Sequence, residues 1–184
     1  MNRLMIFADA EYVIQSFRKI KGKNRVQLED INWPEIIKWV AGDRNLIRCY
    51  YYSARLDKEE NSKTYEKQTE FLTNLKMNND YLELRLGKLV KMGNNWIQKG
   101  CDVMIALDMV TKAFKDHYDI AALIAGDSDF FSLIKDVKND YGKQVELYTF
   151  DRSDAKVRKE LMLAPDKFIK INLDVGKEHN FWNS

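Results

Sequence analysis

The feature that most constrains this chain is a hydrophobic pattern whose period switches repeatedly between strand and helix, the signature of a layered α/β fold with a mainly parallel sheet. Leu4 to Ala8 is a short continuous apolar run, as in a strand covered on both faces. Val13, Phe17 and Ile20 then recur at helical spacing and stop before Gly22. Ile36, Ile37 and Val40 mark a short helix opened by Asn32 and Pro34 and closed at Gly42. Leu46 to Ala54 reads as the second strand, residues 62–77 as a longer helix, and Leu82 to about Lys91 as the third strand. Gly93-Asn94-Asn95 is turn chemistry that returns the chain as a hairpin through Trp96 and Ile97. From Cys101 a helix carries Val103, Ala106, Leu107, Val110, Ala113, Phe114 and His117 on one face, which the spacing predicts to be buried. Ile120 to Ala125 is a fourth strand, residues 129–141 a helix, Val145 to Phe150 a fifth strand, residues 153–163 a last helix, and Phe168 to Ile171 a short sixth strand. Residues 1–172 thus make one domain. Residues 173–184 form a C-terminal tail, polar apart from Phe181 and Trp182, and expected to be loosely held.

A chain of 184 residues has material for one core, and 45% hydrophobic residues with only 2 Pro and 8 Gly exclude disordered and collagen-like classes. No apolar run approaches the roughly 18 residues that a bilayer span requires, so no membrane partner is expected. Thirty basic against 28 acidic residues leave a net charge of +2, and any nucleic-acid site must therefore be a local patch. Cys49 and Cys101 lie in apolar surroundings without CxxC spacing, which argues against a disulfide framework or a zinc site and for reduced thiols in a cytoplasm. From Met1 the chain passes directly into strand-like sequence, without the basic and then apolar order of a signal peptide.

Ligands of parallel sheets bind beyond the carboxyl ends of the strands, and acidic residues collect at that edge. Asp9 follows strand one, Asp127 and Asp129 follow strand four, and Asp102 sits in the first turn of the helix after the hairpin. Each has a plainer role to weigh. Asp129 or Ser128 can cap the helix that starts at Phe130, and Asp102 can complement a helix dipole, each for about 0.5–1 kcal/mol. Asp9 has no cap to make if its helix starts at Tyr12 or later. Two carboxylates about 5 Å apart repel by about 3 kcal/mol at an effective dielectric near 20, so a cluster of four either raises its pKa values or takes up a cation. All-oxygen acidic donors suit Mg²⁺ or Mn²⁺, ions that activate water for attack on a phosphodiester. His117 and His179 lie away from the cluster in the sequence pattern, which argues against a histidine-based hydrolase.

The segments Phe7-Ala8-Asp9-Ala10-Glu11, Gln98-Lys99-Gly100-Cys101-Asp102-Val103, Ala106-Leu107-Asp108-Met109 and Gly126-Asp127-Ser128-Asp129-Phe130 resemble the NYN domain family, including its LabA-like group, within the PIN-like nuclease superfamily. Tyr51, Tyr52 and Ala54, Leu86-Gly87-Lys88-Leu89, and Ala164-Pro165-Asp166-Lys167-Phe168-Ile169 extend the resemblance to about residue 172. It implies a PIN-like Rossmannoid three-layer sandwich and a metal-dependent ribonuclease with Asp9, Asp102, Asp127 and Asp129 as catalytic and metal-binding acids. One position departs from the family pattern: where many members have Asp-x-x-Asn after strand one, this chain has Tyr12, with Glu11 as a neighbour that can compensate.

Around these acids, Lys99 and Arg55 are candidate phosphate contacts, and Glu11, Tyr12 and Ser128 candidate substrate contacts. Arg85, Lys88 and Lys91 add positive charge on the hairpin side. Trp96 or Tyr12 can stack an unpaired base of single-stranded RNA, and Trp96 can equally serve the core or a homodimer contact. Asp108 lies about 240° around the helix from Asp102 and is read as a structural or supporting group. Three functions stay open: a metal-dependent RNA endonuclease, a catalytically weakened RNA-binding or assembly protein of the same fold, and a phosphatase of the haloacid dehalogenase type. The last needs a second Asp and a nearby Thr where this chain has Glu11 and Val13.

Overall fold

In the computed structural model, which describes residues 2–20, 28–55, 58, 62–92, 95–152, 154 and 156–182, seven strands form one sheet. In chain order the elements are β1 (Arg3–Asp9), α1 (Ala10–Ile20), α2 (Trp33–Ala41), β2 (Asn45–Arg55), α3 (Ser62–Met77), β3 (Leu82–Met92), β4 (Asn95–Lys99), α4 (Cys101–Phe114), β5 (Ile120–Ile124), α5 (Phe130–Asn139), β6 (Gln144–Phe150), α6 (Lys159–Leu163), β7 (Lys167–Ile171) and α7 (Leu173–Glu178). A short 3₁₀ turn, Leu28–Asp30, precedes α2. The sheet order is β4-β3-β2-β1-β5-β6-β7, parallel throughout except for the β3–β4 hairpin.

The alternation of β1 explains why both faces are covered. Leu4, Ile6 and Ala8 face a core built with α1, α2 and α3, whereas Met5 and Phe7 face one built with α4, α5 and α6. This is the three-layer α/β sandwich that the hydrophobic pattern predicts. Because β2 and β3 extend the sheet to one side of β1 and β5, β6 and β7 to the other, the chain reverses direction between β1 and β5. Their carboxyl ends, paired at Ala8 and Ile124, flank the crevice where open α/β sheets bind ligands.

Three expectations need correction. Of the apolar stripe assigned to the buried side of α4, Ala113 is buried and Ala106 and Val110 half-buried, but Val103, Leu107 and Phe114 are 65–75% exposed and His117 is also exposed. Cys101, Ile105, Met109 and Lys112 join Ala113 on the buried side. Lys112 is tolerated there because its ammonium bonds to Asp108 and lies 4.5 Å from the Tyr50 ring centroid. The last helix is shorter than 153–163, comprising Lys159–Leu163. The tail is not loosely held: α7 follows β7, Phe181 is fully buried, and its carbonyl accepts the Asn32 N–H at 2.8 Å. Of the hairpin residues, Gly93 and Asn94 lie outside the described ones, as does the side chain of Trp96, so its base-stacking and dimer roles are not described.

Candidate active site

At the crevice beyond β1 and β5 the structure opens a cleft of about 320 Å³. Asp9, Glu11, Asp102 and Asp127 line it together with Arg152 and Lys156, and Tyr12, Cys101 and Gly126 contribute to its walls. Asp9 arrives as the last residue of β1. Asp102 arrives because Gly100, at φ +91°, takes the left-handed conformation that turns β4 abruptly into α4. Asp127 follows β5, and its Oδ1 accepts the Asp129 N–H at 2.9 Å, shaping the turn into α5.

Charge accumulates in the cleft. Burial is the main cause pushing the Asp9 carboxyl up to about 6; the negative charges of Asp102 and Glu11 add to it, and the N–H groups of Tyr12 and Glu11 oppose it. Asp102 is raised as well, by lost hydration and then by Asp127 and Asp129. Asp129 occupies the N-cap of α5 without a side-chain cap bond and does not line the cleft, yet its charge reaches Asp102. The carboxylates of Asp9, Glu11, Asp102 and Asp127 around one cleft are the right chemistry for Mg²⁺ or Mn²⁺. They are not drawn together as a finished ligand shell, since among the described residues no three His, Cys, Asp or Glu side chains are clustered to hold an ion.

Asp9, while lining the cleft, also caps its helix: α1 starts at Ala10, earlier than expected, and the Tyr12 N–H donates to Asp9 Oδ1 at 3.1 Å. Other expected site residues fall elsewhere. Arg55 is held by α3, donating to Thr69 Oγ1 at 3.2 Å and lying over the Tyr65 ring. Lys99 is exposed on β4, and Ser128 lies in the turn before α5; neither lines the cleft. Asp108 accepts from Tyr52 and pairs with Arg85 and Lys112 on the sheet side of α4, so it braces that helix. The sequence reading missed Arg152 and Lys156, although their position after β6 places them at the same sheet edge as the acids.

Tyr12 is a wall of the cleft with a structural duty. Its hydroxyl accepts the Phe150 N–H at 2.9 Å, and its ring lies so close to Gly126 that a Cβ there would be 2.2 Å from a ring carbon. Gly126→Ala is therefore expected to cost about 1–3 kcal/mol in the wild type and clearly less beside Tyr12→Asn. Additive effects in denaturant unfolding of the four proteins of this cycle would contradict the contact.

Asp9→Asn retains the acceptor for the Tyr12 N–H but removes the charge. In chelator the variant is expected to be about 1–2 kcal/mol more stable than the wild type at pH 7. Folded Asp9 keeps its proton until about pH 6, whereas an unfolded Asp releases it near 4, so wild-type stability falls as pH rises through that window. The difference should vanish below pH 4; urea unfolding showing the variant less stable at pH 7 would contradict it.

A switch-point cleft ringed with carboxylates defines an α/β protein of the acidic-site class. The NYN domain family model matches residues 3–172, and this chain belongs to the NYN domain family, whose members are generally nucleases. No curated protein matches the chain. Among solved structures it is similar to a protein of unknown function, VPA0982 from Vibrio parahaemolyticus RIMD 2210633, with 18% sequence identity, a TM-score of 0.68 and 94% of each chain covered. That similarity establishes the fold.

Proposed function

We propose that this chain is a divalent-cation-dependent ribonuclease acting on RNA that is single-stranded or has unpaired regions. The observation that carries this reading is the convergence of Asp9, Asp102 and Asp127 on one cleft at the sheet's switch point, with Asp9 pushed up to about 6 by burial and by its acidic neighbours. Asp9, Asp102 and Asp127 would hold Mg²⁺ or Mn²⁺, and Asp129, outside the cleft lining, would add its charge from the start of α5. Such an ion, when bound, supplies an activated water and stabilises the leaving oxygen of a phosphodiester. Tyr12 fixes the wall between α1 and β6, and Glu11, at the cleft and bonded to Gln15, adds a carboxylate at the mouth.

A second reading is favoured by Tyr12 itself. Its hydroxyl is committed to the Phe150 N–H where the family pattern has an Asn beside the acids, which suits a catalytically weakened RNA-binding protein of the same fold. Both cysteines are free and buried, in keeping with a cytoplasmic location, and no helix among the described residues is long and apolar enough to cross a membrane. Incubating the protein with labelled single-stranded and structured RNAs in Mg²⁺, Mn²⁺ or chelator tests the proposal. Cleavage that needs the ion supports it, binding without cleavage supports the second reading, and cleavage undiminished by excess chelator overturns the mechanism.

A further inference from the structure

The acidic cleft has a neighbour of opposite character. A second cavity of about 440 Å³ adjoins it, and the two share Arg152, Lys156 and Val157 as a common wall. Beyond that wall Lys170 joins the two cations, against one carboxylate, Asp151, which stands 3.8 Å from the Lys170 ammonium. Arg152 is no loose surface cation. Its side chain is 14% exposed, and its Nε and Nη2 donate to the two oxygens of Asp154 at 3.0 and 2.8 Å. Asp154 is itself braced by Lys19 at 3.6 Å. One edge of the guanidinium is thus clamped, which fixes its plane. Lys156 is exposed and has no carboxylate partner among the described residues.

We propose that Arg152 and Lys156 form a phosphate subsite at the junction of the two cavities, holding a phosphate of the RNA strand next to the phosphodiester over the acids. This rests on the reading of the acidic cleft as a cleavage site. A strand bearing one negative charge per nucleotide is repelled by a carboxylate cluster unless fixed cations border it. Arg55 and Lys99 do not line the cleft, and among its described lining residues Arg152 and Lys156 are the cations. A planar guanidinium held along one edge suits phosphate oxygens, and an ammonium beside it with no carboxylate partner among the described residues adds a second charge-assisted contact. The strand accordingly runs toward β6 and β7 and away from the β3–β4 hairpin. The same chemistry takes either an internal diester or a terminal phosphate.

Binding of fluorescent single-stranded oligoribonucleotides, with 5′-phosphate or 5′-hydroxyl ends, to the full chain in chelator and over a range of salt tests the subsite. Lys156→Gln and Arg152→Gln are each expected to weaken binding about tenfold at low salt. Each should also reduce the slope of log affinity against log salt by about 0.7, the contribution of one phosphate contact on a single strand. Lys63→Gln, exposed on α3, should change neither. A wild-type preference for the 5′-phosphate that both variants erase assigns the subsite to a terminal phosphate; equal weakening of both oligonucleotides assigns it to an internal diester. Wild-type affinity and slope in Lys156→Gln, an exposed position where folding is not at issue, overturns the subsite. Cleavage in Mn²⁺ measured alongside separates the two claims. Cleavage with unaltered binding in the variants sinks the subsite alone, and altered binding without any cleavage sinks the nuclease reading alone.

Discussion

Glu146→Gln is expected to lower the unfolding free energy by about 3 kcal/mol. Glu146 lies on β6 at 1% exposure. Its Oε2 accepts from Arg44 Nη1 at 2.7 Å and from the Tyr148 hydroxyl at 2.9 Å, and its Oε1 accepts from Lys167 Nζ at 3.1 Å. Arg44 also donates to the carbonyls of Val40 and Ala41, so the carboxylate ties the end of α2 to β6 and β7. An amide keeps the shape but leaves the Arg44 charge without a counter-ion and turns an N–H toward a donor. The Arg44 side chain is 25% exposed, so water relieves part of the cost, which falls at the low end of that for a broken buried pair. Burial alone would push the Glu146 carboxyl up, but the bonds from Arg44, Tyr148 and Lys167 outweigh it and hold it below its ordinary value. Its contribution is therefore present above the usual Glu range and lost as pH falls through the lowered folded value. Urea unfolding should show a large gap between variant and wild type at pH 7 that narrows in acid; a gap under about 1 kcal/mol at pH 7 would contradict the assignment.

The second large effect is on rate. If the chain is the ribonuclease proposed above, Asp127→Asn is expected to slow its Mn²⁺-dependent RNA cleavage by about 10²-fold or more, because a neutral amide replaces a hard anionic donor. Asn retains an oxygen for the Asp129 N–H that Asp127 Oδ1 accepts, and the position is exposed, so the fold should survive. Single-turnover rates at saturating ion, with a melt on each protein, separate chemistry from stability. A variant within about threefold of wild type would remove Asp127 from the site.

The fold was legible because β1, β2, β5 and β6 carry apolar runs too short for helices, broken by helical repeats. The buried face of α4 was not, because the helix is apolar on opposite sides. Val103, Leu107 and Phe114 make as good a stripe as Ile105 and Met109, and Lys112 on the buried side reads as a surface residue until Asp108 and the Tyr50 ring are seen to receive it. Phe181 and Trp182 announced that the tail packs, but a polar surrounding outweighed them. At the cleft, the positions of Asp9, Asp127 and Asp102 were visible from their places after β1, after β5 and at the start of α4, whereas Asp129 turns out not to line it. Arg152 and Lys156 were not visible, since a search for carboxylates stops short of the cations after β6. The role of Tyr12 was hidden because its partners, Gly126 and Phe150, are remote in sequence and meet it only when β1, β5 and β6 align.

Thermal unfolding during titration with Mn²⁺ tests most directly whether these carboxylates act as one cation site. Ion binding to the folded chain should raise the wild-type melting temperature progressively, following the logarithm of ion concentration above its dissociation constant. Asp102→Asn, which lowers the repulsion on Asp9 and removes one donor, should start from a higher melting temperature in chelator and respond to Mn²⁺ much less. A wild type indifferent to Mn²⁺, together with an Asp102→Asn variant that is destabilised in chelator, would contradict a shared cation site and leave Asp9 as the cap of α1 and Asp102 as a helix-dipole partner.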